Sequence, residues 1–305
     1  MEYSILEVWD EFDLELSLKA SFSLPLFIEF NSKSYIKFYG FKSGLKFKID
    51  GGRTLFSGCD LSEALILSGA WFNPFEHVKN LSGSERSLVY RLMDVFPGLG
   101  IAIDPWDVKA MFYSIFLSRN TDYHNNTVRW LRKILSKAVD EDGLKFVDPM
   151  DFDNSYQLKQ LSKVKDSLHS IFNDFNFGLN ILHSIKVYSD LKRKLLSIPY
   201  IGSKSVHAFG IFCFGLTSIA PVDRHLILII KSLNLIDEFT TPKKSLCLKY
   251  DCLLNVNLCP IDDKCLMAFL MKRFGVMAGW LQTATYLYGS LYLSRGVDPA
   301  GIIKR

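Results

Sequence analysis

A lysine one residue past the start of a helix is an unusual choice, because the first turn carries the positive end of the helix macrodipole. In "IPYIGSKSVHAFG", residues 198–210, Gly202 and Ser203 read as turn and cap, which puts Lys204 in that turn. The dipole and partial burial both push an amine there towards its free form, a nucleophile able to form a Schiff base. Nineteen residues on, "APVDRH" brings Asp223 to the start of a second helix. Capping that helix is compatible with a further role, since a carboxylate held there stays ionised and stabilises positive charge that develops beside it. His207 and His225 stand near these two residues in sequence, but their spacing makes no acid–base pair, and they read as structural or phosphate-facing.

These groups need elements to position them. From residue 182 to 234 the pattern is helix, "SIPYIGS" hairpin, helix, "GLTSIAPV" loop, helix. Two helices joined by a short glycine-containing hairpin offer backbone N–H groups to a phosphate without reading a base, so Gly202 and Ser203 are candidate DNA contacts. Further upstream, Asp104-Pro105 predicts a helix start, with Asp104 as N-cap and Asp107 as a capping-box acid. A second helix is expected to turn Val128, Leu131, Ile134, Leu135 and Ala138 inward and Arg129, Arg132, Lys133 and Lys137 outward. Residues 154–177 read as helix with loops.

Nearer the N-terminus the period is two. "DLELSLKASFSL" (residues 13–24) and "GLKFKIDGG" (residues 44–52) alternate polar and apolar, and with "LFIEFNSKSYIKFYGF" between them they predict an antiparallel sheet over roughly the first sixty residues. The whole chain of 305 residues, 49% hydrophobic and 22% charged, is long enough for two or three domains with a substantial core. A net charge of +4 is compatible with a polyanionic partner without requiring one. The longest apolar runs fall short of a membrane span and the first residues are acidic, so a cytoplasmic, chromosome-associated protein is expected.

"IPYIGSK" followed by "APVDRH" resembles the helix-hairpin-helix, Gly/Pro-rich loop and aspartate signature of the DNA glycosylase superfamily, and the lysine–aspartate interval resembles that of its bifunctional members. "PGLGIAIDPWDVKAMFYSIFLSRNTD" resembles the segment of 3-methyladenine glycosylases and endonuclease III that leads into the loop inserted at the lesion. "KRFGVMAGWLQTATY" is similar to the helix of 8-oxoguanine DNA glycosylase that carries a base-reading glutamine and a stacking aromatic four residues later, positions held here by Gln282 and Tyr286. The resemblance covers most of residues 96–288 and, with the N-terminal sheet, points to the 8-oxoguanine branch.

It implies an α+β fold: a β domain (residues 1–75), a helical subdomain (76–120 with 225–305) and a helix-hairpin-helix subdomain (121–224). The implied activity is excision of an oxidised purine from double-stranded DNA by a monomer, with Lys204 as Schiff-base nucleophile and Asp223 beside it. Arg119, Asn120, Tyr123 and His225 would touch DNA. The alternatives are another lesion on the same scaffold, or DNA binding without chemistry. Tyr200 departs from the family's hairpin glycine, where hairpin carbonyls often hold a monovalent cation, and the family's N-terminal contact to the lesion has no evident counterpart.

Four of the six cysteines, Cys247, Cys252, Cys259 and Cys265, fall within nineteen residues, with four, six and five residues between them. That density fits ligands to a 4Fe–4S cluster or to zinc, or buried unliganded thiols. "CPIDDKC" resembles the last pair of the endonuclease III cluster loop, although the earlier spacing and the position in the chain differ. Cys213 reads as core, and Cys59 carries no signal.

Overall fold

The computed structural model describes residues 3–254, 258–293 and 296. Five strands, β1 (Ser4–Ile5), β2 (Phe27–Asn31), β3 (Ser34–Lys37), β4 (Lys46–Asp50) and β5 (Arg53–Ser57), form one antiparallel sheet in the order β1-β5-β4-β3-β2. The register sets Phe47 opposite Tyr35 on one side and Phe56 on the other, so one face is a buried aromatic row, which Phe27 extends at 6.0 Å from the Phe47 ring. The two-residue period of residues 44–52 is therefore realised as expected.

Residues 13–24 are not. They form a helix, α1 (Leu14–Lys19), entered through Asp13, whose Oδ1 accepts the Leu16 N–H at 2.9 Å. Alternation over so short a window also places apolar residues at i and i+4, and Leu14 and Leu18 bury that stripe. With the cap at one end and a Glu15–Lys19 ion pair one turn apart, local helix chemistry outweighs the strand period.

Beyond the sheet the chain is helical: α2 (Leu61–Ser68), α3 (Pro74–His77), α4 (Gly83–Val95), α5 (Val108–Leu117), α6 (Val128–Leu135), α7 (Tyr156–Asn173), α8 (Ile185–Ser197), α9 (Ser203–Phe214), α10 (Arg224–Ser232), α11 (Lys244–Lys249), α12 (Leu266–Phe274) and α13 (Met277–Leu291). One wide π-type turn, Tyr123–Thr127, runs directly into α6. Helix α5 is buried on every side and packs against α6, α7 and α9, while α13 packs against α4, α10 and α12. Val128, Leu131, Ile134, Leu135 and Ala138 are all buried, as their spacing predicts. Arg132 departs from its expected place outside: it is half-buried and donates to Phe27 O at 2.5 Å, tying α6 to the sheet. None of the described helices is long and apolar enough to cross a membrane.

Helix α5 starts at Val108, three residues later than the Asp104-Pro105 signal implies. Asp104 Oδ1 caps a preceding turn, accepting the N–H groups of Trp106 and Asp107 at 3.0 Å each. Asp107 makes no capping bond; its carboxylate turns to Lys37 Nζ and to the Phe41 N–H. That loop comes so close because Gly40, at φ 77°, has no Cβ, which would lie 2.2 Å from Asp107 Oδ1. Glu141, from the segment that follows α6, accepts the orphan N–H groups of Lys109 and Ala110 instead.

Lys37 is thus sealed with Asp104 (3.1 Å) and Asp107 where sheet and helices meet. Burial first, then the neighbouring Asp104 charge, pushes Asp107 up to about 7, and burial raises Glu141 well above the carboxylate range. Both acids bind a proton more tightly folded than unfolded. Stability is therefore expected to fall as pH rises through about 7. Lys37→Met should cost roughly 3–5 kcal/mol by leaving buried carboxylates unpaired, with a larger loss at pH 8 than at pH 6. Urea unfolding at the two pH values measures both effects.

Candidate active site

Helix α9 begins without a side-chain cap. Its N-cap is Gly202, and the Ser203 hydroxyl, which would suit that role, donates instead to Pro242 O at 2.9 Å. The helix therefore keeps open N–H groups at its start, the arrangement that binds an anion. Lys204 stands in this turn, half-buried, and makes no hydrogen bond or ion pair among the described residues. Its side chain lines a cavity of about 280 Å³.

Asp223 lines the same cavity. It is the N-cap of α10 and only 5% exposed. Oδ1 accepts the Leu226 N–H at 2.9 Å, while Oδ2 accepts from Gln282 Nε2 of α13 at 3.2 Å. Gln282 and Tyr286, one turn apart, both face the cavity, as the i, i+4 spacing predicts. With its NH₂ committed to Asp223, Gln282 keeps Oε1 as an acceptor.

His225 also lines the cavity, its ring edge-on to Tyr286 with centroids 6.0 Å apart. Arg224 Nε donates to its Nε2 at 3.3 Å. Burial, joined by the charges of Arg224 and Lys204, holds its pKa below the ordinary histidine value against the pull of Asp223. The ring has a seat only because residue 289 is glycine, since a Cβ there would lie 2.0 Å from His225 Nδ1.

The loop after α5 supplies Asn120 and Tyr123. Tyr123 forms wall rather than tip: it is buried, and its hydroxyl donates to Ser21 O at 2.7 Å. Arg119 lies outside the cavity lining, its guanidinium held by Tyr200 O, Phe116 O and Gln160 Oε1. Gly202 and Ser203 sit at the open helix start just described.

Sequence reasoning missed Ser21, Phe22 and Phe212, which complete the wall. Phe22 meets the rings of Tyr123 and Phe212 edge-on at 5.4 and 5.0 Å. Phe212 sits in an apolar run that reads as core, and Phe22 in a segment that reads as strand, so only the turn after α1 reveals where it points.

Cys247, Cys252, Cys259 and Cys265 line a second, much smaller cavity of about 10 Å³ behind the hairpin. Burial, reinforced by the neighbouring sulfurs, pushes the Cys247 thiol up to about 12, and burial pushes that of Cys252 up to about 11. A buried Lys192–Asp251 pair at 2.8 Å flanks them. Four thiols on one cavity are the donor chemistry a thiophilic metal takes. As placed, no three His, Cys, Asp or Glu side chains among the described residues form a metal-holding group. Cys213 is core, as expected.

No protein-family model and no curated protein matches the chain. Solved structures do, over nearly its whole length. A structure of MBOgg1 in complex with a low-affinity DNA ligand is 16% identical with TM-score 0.65, covering 95% of this chain and 99% of that one. The 8-oxoguanine glycosylase/lyase of Clostridium acetobutylicum in its apo form is 15% identical with TM-score 0.63, covering 94% and 100%. The 3-methyladenine DNA-glycosylase from Archaeoglobus fulgidus is 12% identical with TM-score 0.61, covering 95% and 99%. The chain therefore has the α+β fold of helix-hairpin-helix DNA glycosylases, the architecture its motifs predict.

Gly289→Ala is expected to expel His225 and tilt Tyr286 while leaving the other walls in place. By the usual cost of overpacking, about 1–3 kcal/mol, the fold should survive. The His225 ring resonances should shift while the helical circular dichroism is retained.

Proposed function

We propose that this chain is a DNA glycosylase with associated lyase activity, acting on an oxidised purine such as 8-oxoguanine flipped out of duplex DNA. The observation that carries the reading is that Lys204 and Asp223, from different elements, face one cavity whose walls include Phe22, Phe212, Tyr123 and Tyr286. At about 280 Å³ it falls just below the usual size of small-molecule sites, roughly 300–1,000 Å³, in keeping with a single base. The open helix start beside Lys204 suits a backbone phosphate.

In this mechanism the flipped base stacks among the aromatic walls. The Gln282 Oε1 accepts from ring and exocyclic N–H groups, the pattern on the Watson–Crick edge of a guanine-type base. Lys204 Nζ attacks C1′, the N-glycosidic bond breaks, and its electron pair leaves with the base. The Asp223 carboxylate stabilises the positive charge that passes through the sugar. The amine loses its proton, the sugar ring opens to a Schiff base, and loss of the C2′ proton with departure of the 3′ phosphate nicks the strand.

Borohydride reduction of the reacting mixture is expected to trap a covalent protein–DNA adduct, which Lys204→Ala abolishes. Excision should fall at least about 10³-fold in that variant and about 10²–10³-fold in Asp223→Asn. Comparing 8-oxoguanine with thymine glycol, uracil and 3-methyladenine substrates decides the lesion. Gln282→Leu should narrow the preference for the oxidised purine by roughly 10–100-fold, as lost hydrogen-bond discrimination does. Duplex affinity without any excision or adduct would leave only a binding module.

The same proposal extends to the cysteines: Cys247, Cys252, Cys259 and Cys265 hold a structural metal, as a 4Fe–4S cluster or as zinc, with Lys192 offsetting the thiolate charge. No step of the excision passes through it. Metal analysis should find iron with brown visible absorption, or zinc without colour, and Cys259→Ser should lose the metal and lower the melting temperature. A metal-free, fully stable protein would reject the assignment.

A further inference from the structure

We infer that the hairpin at residues 198–202 carries its own cation: the Arg119 guanidinium holds its carbonyl side in place of the monovalent ion that hairpins of this fold often bind. The inference rests on the DNA-binding reading above. Arg119 Nη1 donates to Tyr200 O, Nε to Phe116 O at 2.6 Å and Nη2 to Gln160 Oε1 at 2.8 Å, with the guanidinium 3.6 Å from the centre of the Phe116 ring. From the other side, Lys244 Nζ donates to Ile198 O at 2.8 Å.

An alkali ion binds where several carbonyl oxygens are free to replace its water. Here two hairpin carbonyls already accept from cationic donors, one of them the Arg119 guanidinium held at three points, so the residues present do not fit such an ion. The backbone conformation agrees. Tyr200 has φ 66° in the left-handed region that favours glycine, and a charge-assisted bond to its carbonyl helps hold it there. With the carbonyl side occupied from within, the N–H side at the start of α9 is left for a phosphate.

Arg119 also joins this hairpin to the cavity. Its neighbour Asn120 lines the pocket, and its own carbonyl is held independently by Tyr156 Oη at 3.2 Å and Gln157 Nε2 at 3.0 Å of α7. Arg119 is therefore a positioning residue that sets the phosphate-binding turn against the loop bordering the base, rather than a contact to the orphan base. Because Tyr156 and Gln157 of α7 hold the main-chain carbonyl separately from the Gln160 bond to the guanidinium, removing the side chain should leave the loop folded.

The test measures affinity for undamaged duplex at one ionic strength in potassium, sodium and tetramethylammonium chloride. Wild type is expected to bind equally in all three, within about twofold. Arg119→Ala, with its helical circular dichroism retained, should lose roughly tenfold, the worth of one charge-assisted hydrogen bond. Millimolar guanidinium should restore its binding, while Gln160→Leu, which frees only one of the three donors, should give a smaller, cation-independent loss. Tighter wild-type binding in potassium or sodium than in tetramethylammonium would overturn the inference and leave the functional reading intact. So would a folded Arg119→Ala that guanidinium does not rescue. If that variant fails to fold, the wild-type cation series decides. A wild type that binds duplex in none of the salts would overturn the functional reading, and this inference with it.

Discussion

The two oxygens of Asp223 are divided between two helices. One closes the first turn of α10 through the Leu226 N–H, and the other receives the amide of Gln282 on α13. The carboxylate therefore cannot rotate without giving up a cap or a cross-helix bond, both made where little water competes. The cavity inherits its shape from that constraint. The last long helix is fixed against the loop that carries the acid, and Gln282 and Tyr286 are turned inward together.

A second polar knot does comparable work at the opposite boundary. Lys37 comes from the sheet and Asp104 and Asp107 from the approach to α5, so one buried group of charges fixes the sheet to the helices. The turn after α1 is held beside the helices by bonds of its own, the Ser21 hydroxyl donating to Ala102 O at 2.6 Å and Ser21 O accepting from Tyr123 Oη at 2.7 Å. That turn is where the N-terminal region reaches the cavity, through Ser21 and Phe22.

Much of this was legible in the sequence, and the reasons are local. Glycine and proline punctuate residues 182–234 so clearly that helix, hairpin, helix, loop and helix appear in the expected order, and an aspartate before an apolar run is an N-cap in the structure as on paper. Gln282 and Tyr286 share a helix face because i and i+4 always do. What failed depended on distant partners. Asp107 is a fair capping-box acid until a lysine seventy residues away claims it. Alternation in residues 13–24 fits a strand or a short helix equally well, and the cap at Asp13 decides. Arg119 reads as a loop cation free to touch DNA, yet its guanidinium is held by Tyr200 O and Gln160 Oε1, which no local pattern connects to it.

The wall residues are also widely separated along the chain. Phe22, Lys204, Asp223 and Tyr286 come from four separate stretches of the sequence, yet all face one small space. No one of these stretches forms the cavity alone: the segment that carries Lys204 lacks the rings of Phe22 and Tyr286. The pocket is thereby a property of the assembled fold and of no single segment, since it exists only once residues far apart in sequence have closed upon one another.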